Sequence, residues 1–361
     1  MRLKAEFRTV TRGLISTVGQ RLFIAGVMLL AACNSTARDQ PPPDVTFPTS
    51  LHATGRGMVT WYLADNGGFE QYSDIPYDQL YCRDCHKPLC VNCHMVAGDS
   101  VPQSRCLGCH GLVQLEWDSH ADVHQAAGME CMQCHSSREM HGDGTRYYSL
   151  LDEGAMDTTC EGCHTPLADN EYHARHGNTI DCTACHVQGV VTCYVCHFET
   201  ELEEGRKLSY GQYAGWVFLV NYRGKVHSAN FQSVKYRDHS FLAMAPFGAH
   251  TIGKAVRQCD DCHNSDALEE YSSTGAIQAT RWNDCERRIE YASGVVPVPP
   301  DWQTALEFDF VDLDDEGNWV FMEAGPDTFQ MLFGTPLTRE QLERLAGQDR
   351  ADRRSGWRVS R

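Results

Sequence analysis

The chain repeats Cys-x-x-Cys-His eight times, and no other feature constrains it as much. The copies begin at Cys82, Cys90, Cys106, Cys131, Cys160, Cys182, Cys193 and Cys259. Their second cysteines are Cys85, Cys93, Cys109, Cys134, Cys163, Cys185, Cys196 and Cys262, and their histidines are His86, His94, His110, His135, His164, His186, His197 and His263. Cysteines at i and i+3 and a histidine at i+4 share one side of a helical turn. Two thiols and one imidazole so placed suit a c-type haem, with thioether bonds to both vinyl groups and the imidazole on the iron. Zinc knuckles also use Cys-x-x-Cys, but they give no reason for a histidine after every second cysteine. The sequence therefore predicts eight covalently attached haem c groups.

Covalent haem of this kind is attached outside the cytoplasm, and the start of the chain agrees with export. Arg2, Lys4, Arg8, Arg12 and Arg21 precede an apolar run from Leu22 to Ala32, too short for a permanent span of roughly 20 residues. Leu30-Ala31-Ala32-Cys33 resembles the lipobox of bacterial lipoproteins, which implies cleavage before Cys33 and lipidation of its thiol; an ordinary signal peptide cut near Ala32 is the alternative. Asn34 after the cysteine favours the outer membrane by the same resemblance. Haem motifs consume 16 of the 18 cysteines, so no disulfide framework is expected, and Cys285 is expected to be a lone buried thiol. Residues 1–32 carry five basic and one acidic side chain, so their removal takes the formal charge from −17 to −21. Such a polyanion is a poor nucleic-acid binder.

The organisation follows from composition. Residues 1–32 read as the signal peptide, and 33–50 as the lipidated cysteine with a proline-rich tether. Residues 51–263 read as an octahaem domain with a β insertion around 210–246. Residues 264–361 read as a haem-free extension with a β-hairpin and a short helix opened by a Thr338–Gln341 capping box. Seven motifs crowd into residues 82–197, where hydrophobic periodicity is weak. The expected fold is therefore mostly irregular and helical, packed around haem, with small β elements and few regular secondary structures.

What fills the second axial position of each iron decides the function. Nine histidines lie outside the motifs: His52, His120, His124, His141, His173, His176, His227, His239 and His250. Eight would suffice, and His52 is the expected spare. His120 with His124, and His173 with His176, are spaced to share helix faces and serve two haems each. Met58, Met95 and Met156 are weaker candidates, better explained by packing.

Over residues 51–263 the chain resembles the exported octahaem c-type cytochromes of bacteria, on the eight motifs and on the segment Ser240 to Ile252 that leads into the last one. The resemblance implies an electron relay across the periplasm or outer membrane. Its partners would be other multihaem cytochromes, quinol-side donors, porin–cytochrome conduits or extracellular acceptors, with self-assembly known among relatives. The alternative is a reductase or oxidase of a small nitrogen or sulfur oxyanion at one open haem. No motif here ends in Lys or has a widened cysteine gap, the marks of such a haem in several related families. A haem sensor is a third reading, without a visible signalling segment.

Overall fold

The structure is a computed structural model that describes residues 43–80, 90–94, 100–322 and 325–354. The first haem motif, Cys33 and Met95 lie outside the described residues. Trp216 to Val220 form an unbroken apolar run, and all five side chains are buried. A strand covered on both faces reads in this way. Arg223 and Gly224 follow with φ of 52° and 82°. Two successive left-handed residues make the turn whose twist suits a hairpin.

Eleven strands form in chain order: β1 (Val190–His197), β2 (Ser209–Tyr222), β3 (Lys225–Tyr236), β4 (His239–Pro246), β5 (Ile277–Asn283), β6 (Arg288–Tyr291), β7 (Gly294–Pro297), β8 (Leu306–Phe308), β9 (Phe310–Leu313), β10 (Trp319–Met322) and β11 (Thr328–Met331). Six of them make a mixed sheet in the order β11-β4-β3-β1-β2-β7; β6-β5-β8 and β10-β9 form smaller sheets. β2 and β3 pair directly only from Phe218↔Ala229 to the turn. Beyond that point they part, and β1 fills the gap, antiparallel to β2 and touching β3 in parallel at Cys196↔Val234 and His197↔Lys235.

Side chains replace the ladder where β1 and β3 do not pair. Asn230 Nδ2 donates to Val191 O at 2.9 Å, Asn230 Oδ1 accepts from Thr192 Oγ1 at 2.6 Å, and Ser233 Oγ accepts from Val195 N at 2.8 Å. All three side chains are buried, so each bond satisfies a group that water cannot reach.

The expected mostly irregular, haem-packed fold with few regular elements is therefore incorrect: the chain builds a six-stranded mixed sheet with its own side-chain core. The sequence signal failed for two physical reasons. β1 lies within the motif run, where cysteine and histidine hide its Val-rich pattern. β7 and β11 are four residues each, too short to show alternation, and take their stability from the strands beside them. Residues beyond 264 thus contribute two strands to the central sheet. The alternating apolar and polar stretch from Ala305 to Leu313 breaks at Asp309 into β8 and β9. The capping box forms, with Thr338 N to Gln341 Oε1 at 2.9 Å and Gln341 N to Thr338 Oγ1 at 3.1 Å, and its helix runs over Arg339–Arg354. Cys285 is exposed, not buried, because it sits in the turn between β5 and β6.

The main apolar core begins at Ala184 and ends at Leu337. A second cluster joins Tyr62, Phe69, Tyr77 and Leu80 to Tyr236 and Phe241. Between Cys90 and Thr183, Ala155 is the sole buried hydrophobic residue among those described. Asn230→Ala should lower stability by about 3 kcal/mol, since it orphans Val191 O and Thr192 Oγ1 inside the sheet. Denaturant titration followed by far-ultraviolet circular dichroism measures this, and a change below about 0.5 kcal/mol would mean that Asn230 does not join β1 to β3.

Candidate functional site

Six described motifs close a turn that presents their side chains together. Helical turns open at Cys90–Cys93, Cys131–Gln133, Cys160–Gly162, Cys182–His186 and Cys259–His263, and the helix Gln103–Leu107 carries Cys106. Backbone bonds from His94 to Cys90, His110 to Cys106, His135 to Cys131 and His164 to Cys160, all 2.8–2.9 Å, fold each histidine back over its first cysteine. Local caps start several turns: Asp181 Oδ1 accepts from Thr183 N at 3.0 Å, and Thr159 Oγ1 accepts from Gly162 N at 3.2 Å.

Each of these six motif histidines faces one histidine from outside the motifs. The pairs and their ring-centroid distances are His94–His141 at 6.1 Å, His110–His52 at 6.2 Å, His135–His250 at 6.2 Å, His164–His124 at 6.1 Å, His186–His173 at 6.4 Å and His263–His176 at 6.3 Å. This near-constant spacing has a simple source. Two metal–nitrogen bonds of about 2.0 Å, and about 1.1 Å from each nitrogen to its ring centre, separate two imidazoles on one iron by about 6.2 Å. Among the described residues no three His, Cys, Asp or Glu side chains converge as a bare ion would require. The imidazoles come in twos, the number of positions a porphyrin leaves on its iron.

Ring orientation agrees. Nδ1 of His141, His173 and His263 lies 3.0, 2.9 and 2.7 Å from the carbonyl oxygens of Ser137, Ala168 and Leu345. A carbonyl only accepts, so Nδ1 carries the proton and Nε2 keeps the lone pair that binds metal. Burial, reinforced by the facing histidine, pushes the imidazoles of His52, His176 and His186 below their ordinary value; His110 is lowered by burial and by its neighbours His135 and His250. The neutral form is the ligating form. These residues fit the haem groups that the motifs imply.

The pairs are ordered in space. Burial and the nearby Cys106 and Cys109 raise the Cys93 thiol; burial and Cys131 raise Cys106; burial, with Cys160 among its neighbours, raises Cys134. Cys160 hydrogen-bonds Cys182, and Cys185 feels burial while Cys262 feels Cys185. The sites therefore follow one another from Cys90 through Cys106, Cys131, Cys160 and Cys182 to Cys259. His173 and His176 share the helix Glu171–His176 and face His186 and His263, the last two in this row.

The structure changes other expectations. His52, the expected spare, faces His110; among the described residues His120, His227 and His239 have no facing imidazole. His120 and His124 do not share a helix, because Gly111–Ser119 ends before His120 and Asp122 caps the next turn. His227 lies against Asp181 and Ser228 O, and His239 against Tyr72 and Asp327.

The motif at Cys193–His197 differs. It lies on β1, with Tyr194 and Val195 in the core and Val195 at φ 45°, a strained value for a β-branched residue. His197 Nε2 sits 3.6 Å from both Glu199 Oε2 and Asp312 Oδ1, and Lys235 Nζ is 3.0 Å from Asp312 Oδ2. Carboxylates stand where the ring system would meet Nε2, so these residues as arranged do not fit a haem, and no step is derived through them.

Two residues escaped the sequence reading. Glu139 and Glu116 have fully buried side chains behind the His135–His250 pair. Glu139 Oε2 lies 2.7 Å from His135 Nδ1. Burial opposes ionisation of Glu139, yet hydrogen bonds from His135, Asp157 and Thr158 hold its carboxyl well below the usual range. Its i+4 spacing from His135 was a visible signal; Glu116 had none.

Comparison with protein-family models finds no match, and comparisons with curated proteins and with solved structures find none.

Ring planes differ between pairs: 19° for His94–His141 and 30° for His176–His263, against 62° for His52–His110 and 64° for His124–His164. The ferric protein should therefore give two classes of low-spin electron paramagnetic resonance signal, rhombic from near-parallel rings and strongly anisotropic from crossed ones. A single class would show that the bound rings do not keep these angles.

Proposed function

We propose that the chain is an exported multihaem c-type cytochrome that relays electrons between redox partners. The observation that carries this reading is the row of six imidazole pairs, each joining a motif histidine to a second histidine at 6.1–6.4 Å. Haem supplies one-electron chemistry when bound. The residues supply the rest. Thiols of each motif would tether the ring, the paired imidazoles would hold its iron, and the carbonyls or carboxylate at Nδ1 would fix the orientation of the imidazoles. Two identical ligands suit both oxidation states, so little rearrangement accompanies an electron. A filled sixth position leaves no place for a substrate at these six sites, which favours relay over oxyanion reduction.

On this reading Cys33 carries the lipid anchor and the residues after it tether the domain to the membrane, with the outer membrane favoured; the expected tether stops short of residue 50, because Pro43–Thr46 and Phe47–Thr49 are helical and Thr46 and Ser50 are buried. No described helix is long and apolar enough to cross a membrane. Partners would be other multihaem cytochromes, a quinol-side donor, a porin–cytochrome conduit or an extracellular acceptor. Intact mass of the exported protein, with each attached haem adding its own mass, counts the groups: eight if every motif is used, fewer if Cys193–His197 is not.

The test of the relay is spectroscopic. His250→Ala should turn one haem high-spin and able to bind carbon monoxide once reduced, with haem content unchanged. The unaltered protein should bind no carbon monoxide at the six paired sites. An unchanged low-spin spectrum in the variant would remove His250 as a ligand, and tight carbon monoxide binding by several haems of the unaltered protein would sink the relay reading.

A further inference from the structure

Resting on that reading, we infer that Glu139 and Glu116 hold the haem between His135 and His250 at the lowest reduction potential of the six in the row. Both histidines of this pair face a buried carboxylate. Glu139 Oε2 is 2.7 Å from His135 Nδ1, and Glu139 Oε1 accepts from Asp157 N at 2.8 Å and from Thr158 N at 2.7 Å. These bonds fix the carboxylate so that it cannot turn away. Glu116 Oε2 accepts from His250 N at 2.8 Å and lies 3.5 Å from His250 Nδ1. Glu116 Oε1 and His250 Nδ1 are both buried and make no hydrogen bond among the described residues, so Glu116 acts on this imidazole by its charge rather than by a bond.

Among the described residues no other pair has a buried carboxylate against both of its histidines. His141, His173 and His263 rest on neutral carbonyls. His124 Nδ1 lies 3.4 Å from Asp122 Oδ1, which also accepts from His124 N and Gln125 N, but among the described residues no carboxylate pairs with His164 across from it. A carboxylate at Nδ1 draws the proton toward itself and makes the imidazole a stronger donor at Nε2. Two of them, fully buried, also place negative charge near the iron where water screens little. Both effects favour the ferric state with its extra positive charge and lower the potential. The redox step moves one electron from a neighbouring ferrous haem and breaks no bond; the Nδ1 proton of His135 stays between the imidazole and Glu139. An electron passing to this haem from a neighbour in the row climbs in energy, and the two glutamates set the height of that step.

The test is a potentiometric titration of the purified holoprotein followed by its haem absorption, with Glu139→Gln, Glu116→Gln and the double variant. Each single variant should raise the lowest potential in the row by about tenfold in the reduction equilibrium, about 59 mV. Both variants should move the same haem, the one that turns high-spin in His250→Ala, although the glutamates lie on different elements. Haem content and spin state should not change, which separates tuning from a merely structural role. If Glu139→Gln fails to fold, Glu116→Gln alone decides, since glutamine still accepts from His250 N. Potentials unmoved in Glu116→Gln, or movement at different haems in the two variants, overturn the inference. A mature protein without covalent haem at Cys131 overturns the reading beneath it, and the inference with it.

Discussion

Three buried carboxylates hold the histidine-rich segment in place, because it has no apolar core of its own. Asp122 Oδ1 accepts from His124 N, and its Oδ2 accepts from Ile252 N at 2.7 Å. Glu116 accepts from His250 N, and Glu139 from the amides of Asp157 and Thr158. Hydrogen bonds to charged groups contribute about 1.5–3 kcal/mol each, more than neutral ones. A carboxylate carried into the interior imposes a large cost unless such bonds meet it. The segment is thus fixed by directional contacts, which position imidazoles more sharply than an apolar contact of the same energy.

The sheet supplies the rigid side of these contacts. Val123 N donates to Ile252 O at 2.9 Å, Gln188 N to Thr251 O at 2.9 Å and Asp181 N to Val226 O at 2.8 Å. The stretch from Ala249 to Ile252, which leaves β4, therefore clamps the helical turns to the buried strands. His250 is held at its neighbours' expense: Thr251 is fully buried, and Thr251 Oγ1 donates to Gly189 O at 2.6 Å. Gly189 permits this approach, since a Cβ there would stand 2.8 Å from His120 Cε1 and 3.0 Å from Gly215 N. The sheet that the motif pattern concealed is what gives His250 its fixed place opposite His135.

The sequence made legible what local spacing encodes. The motif turns, the shared helix of His173 and His176, the hairpin around Arg223 and Gly224 and the cap at Thr338 all depend on residues within four positions of one another. It hid what depends on distance. His52 meets His110 from far along the sequence, so nothing near His52 marks it as the facing residue. His120 looked equivalent to His124 by spacing, yet Asp122 is a better helix start than an interior residue, and it divides the two. β1 was hidden because its cysteines and histidine were read for haem alone, while Val190, Val191, Tyr194 and Val195 carried the strand signal beside them.

That double use of β1 is the sharpest constraint on the whole arrangement. A haem motif needs its thiols and imidazole free on one side, whereas a central strand buries alternate side chains and pairs both edges. Between Val190 and His197 the strand requirement prevails: Tyr194 donates to Asp309 O at 2.6 Å from within the core, and the helix Phe198–Glu204 and β9 carry Glu199 and Asp312 to His197 Nε2. In the other six described motifs no strand competes, and the turn closes on its first cysteine. The same five-residue pattern therefore has two outcomes in one chain, decided by the residues around it: caps and polar turns release it toward a partner imidazole, and a valine-rich strand draws it into the sheet.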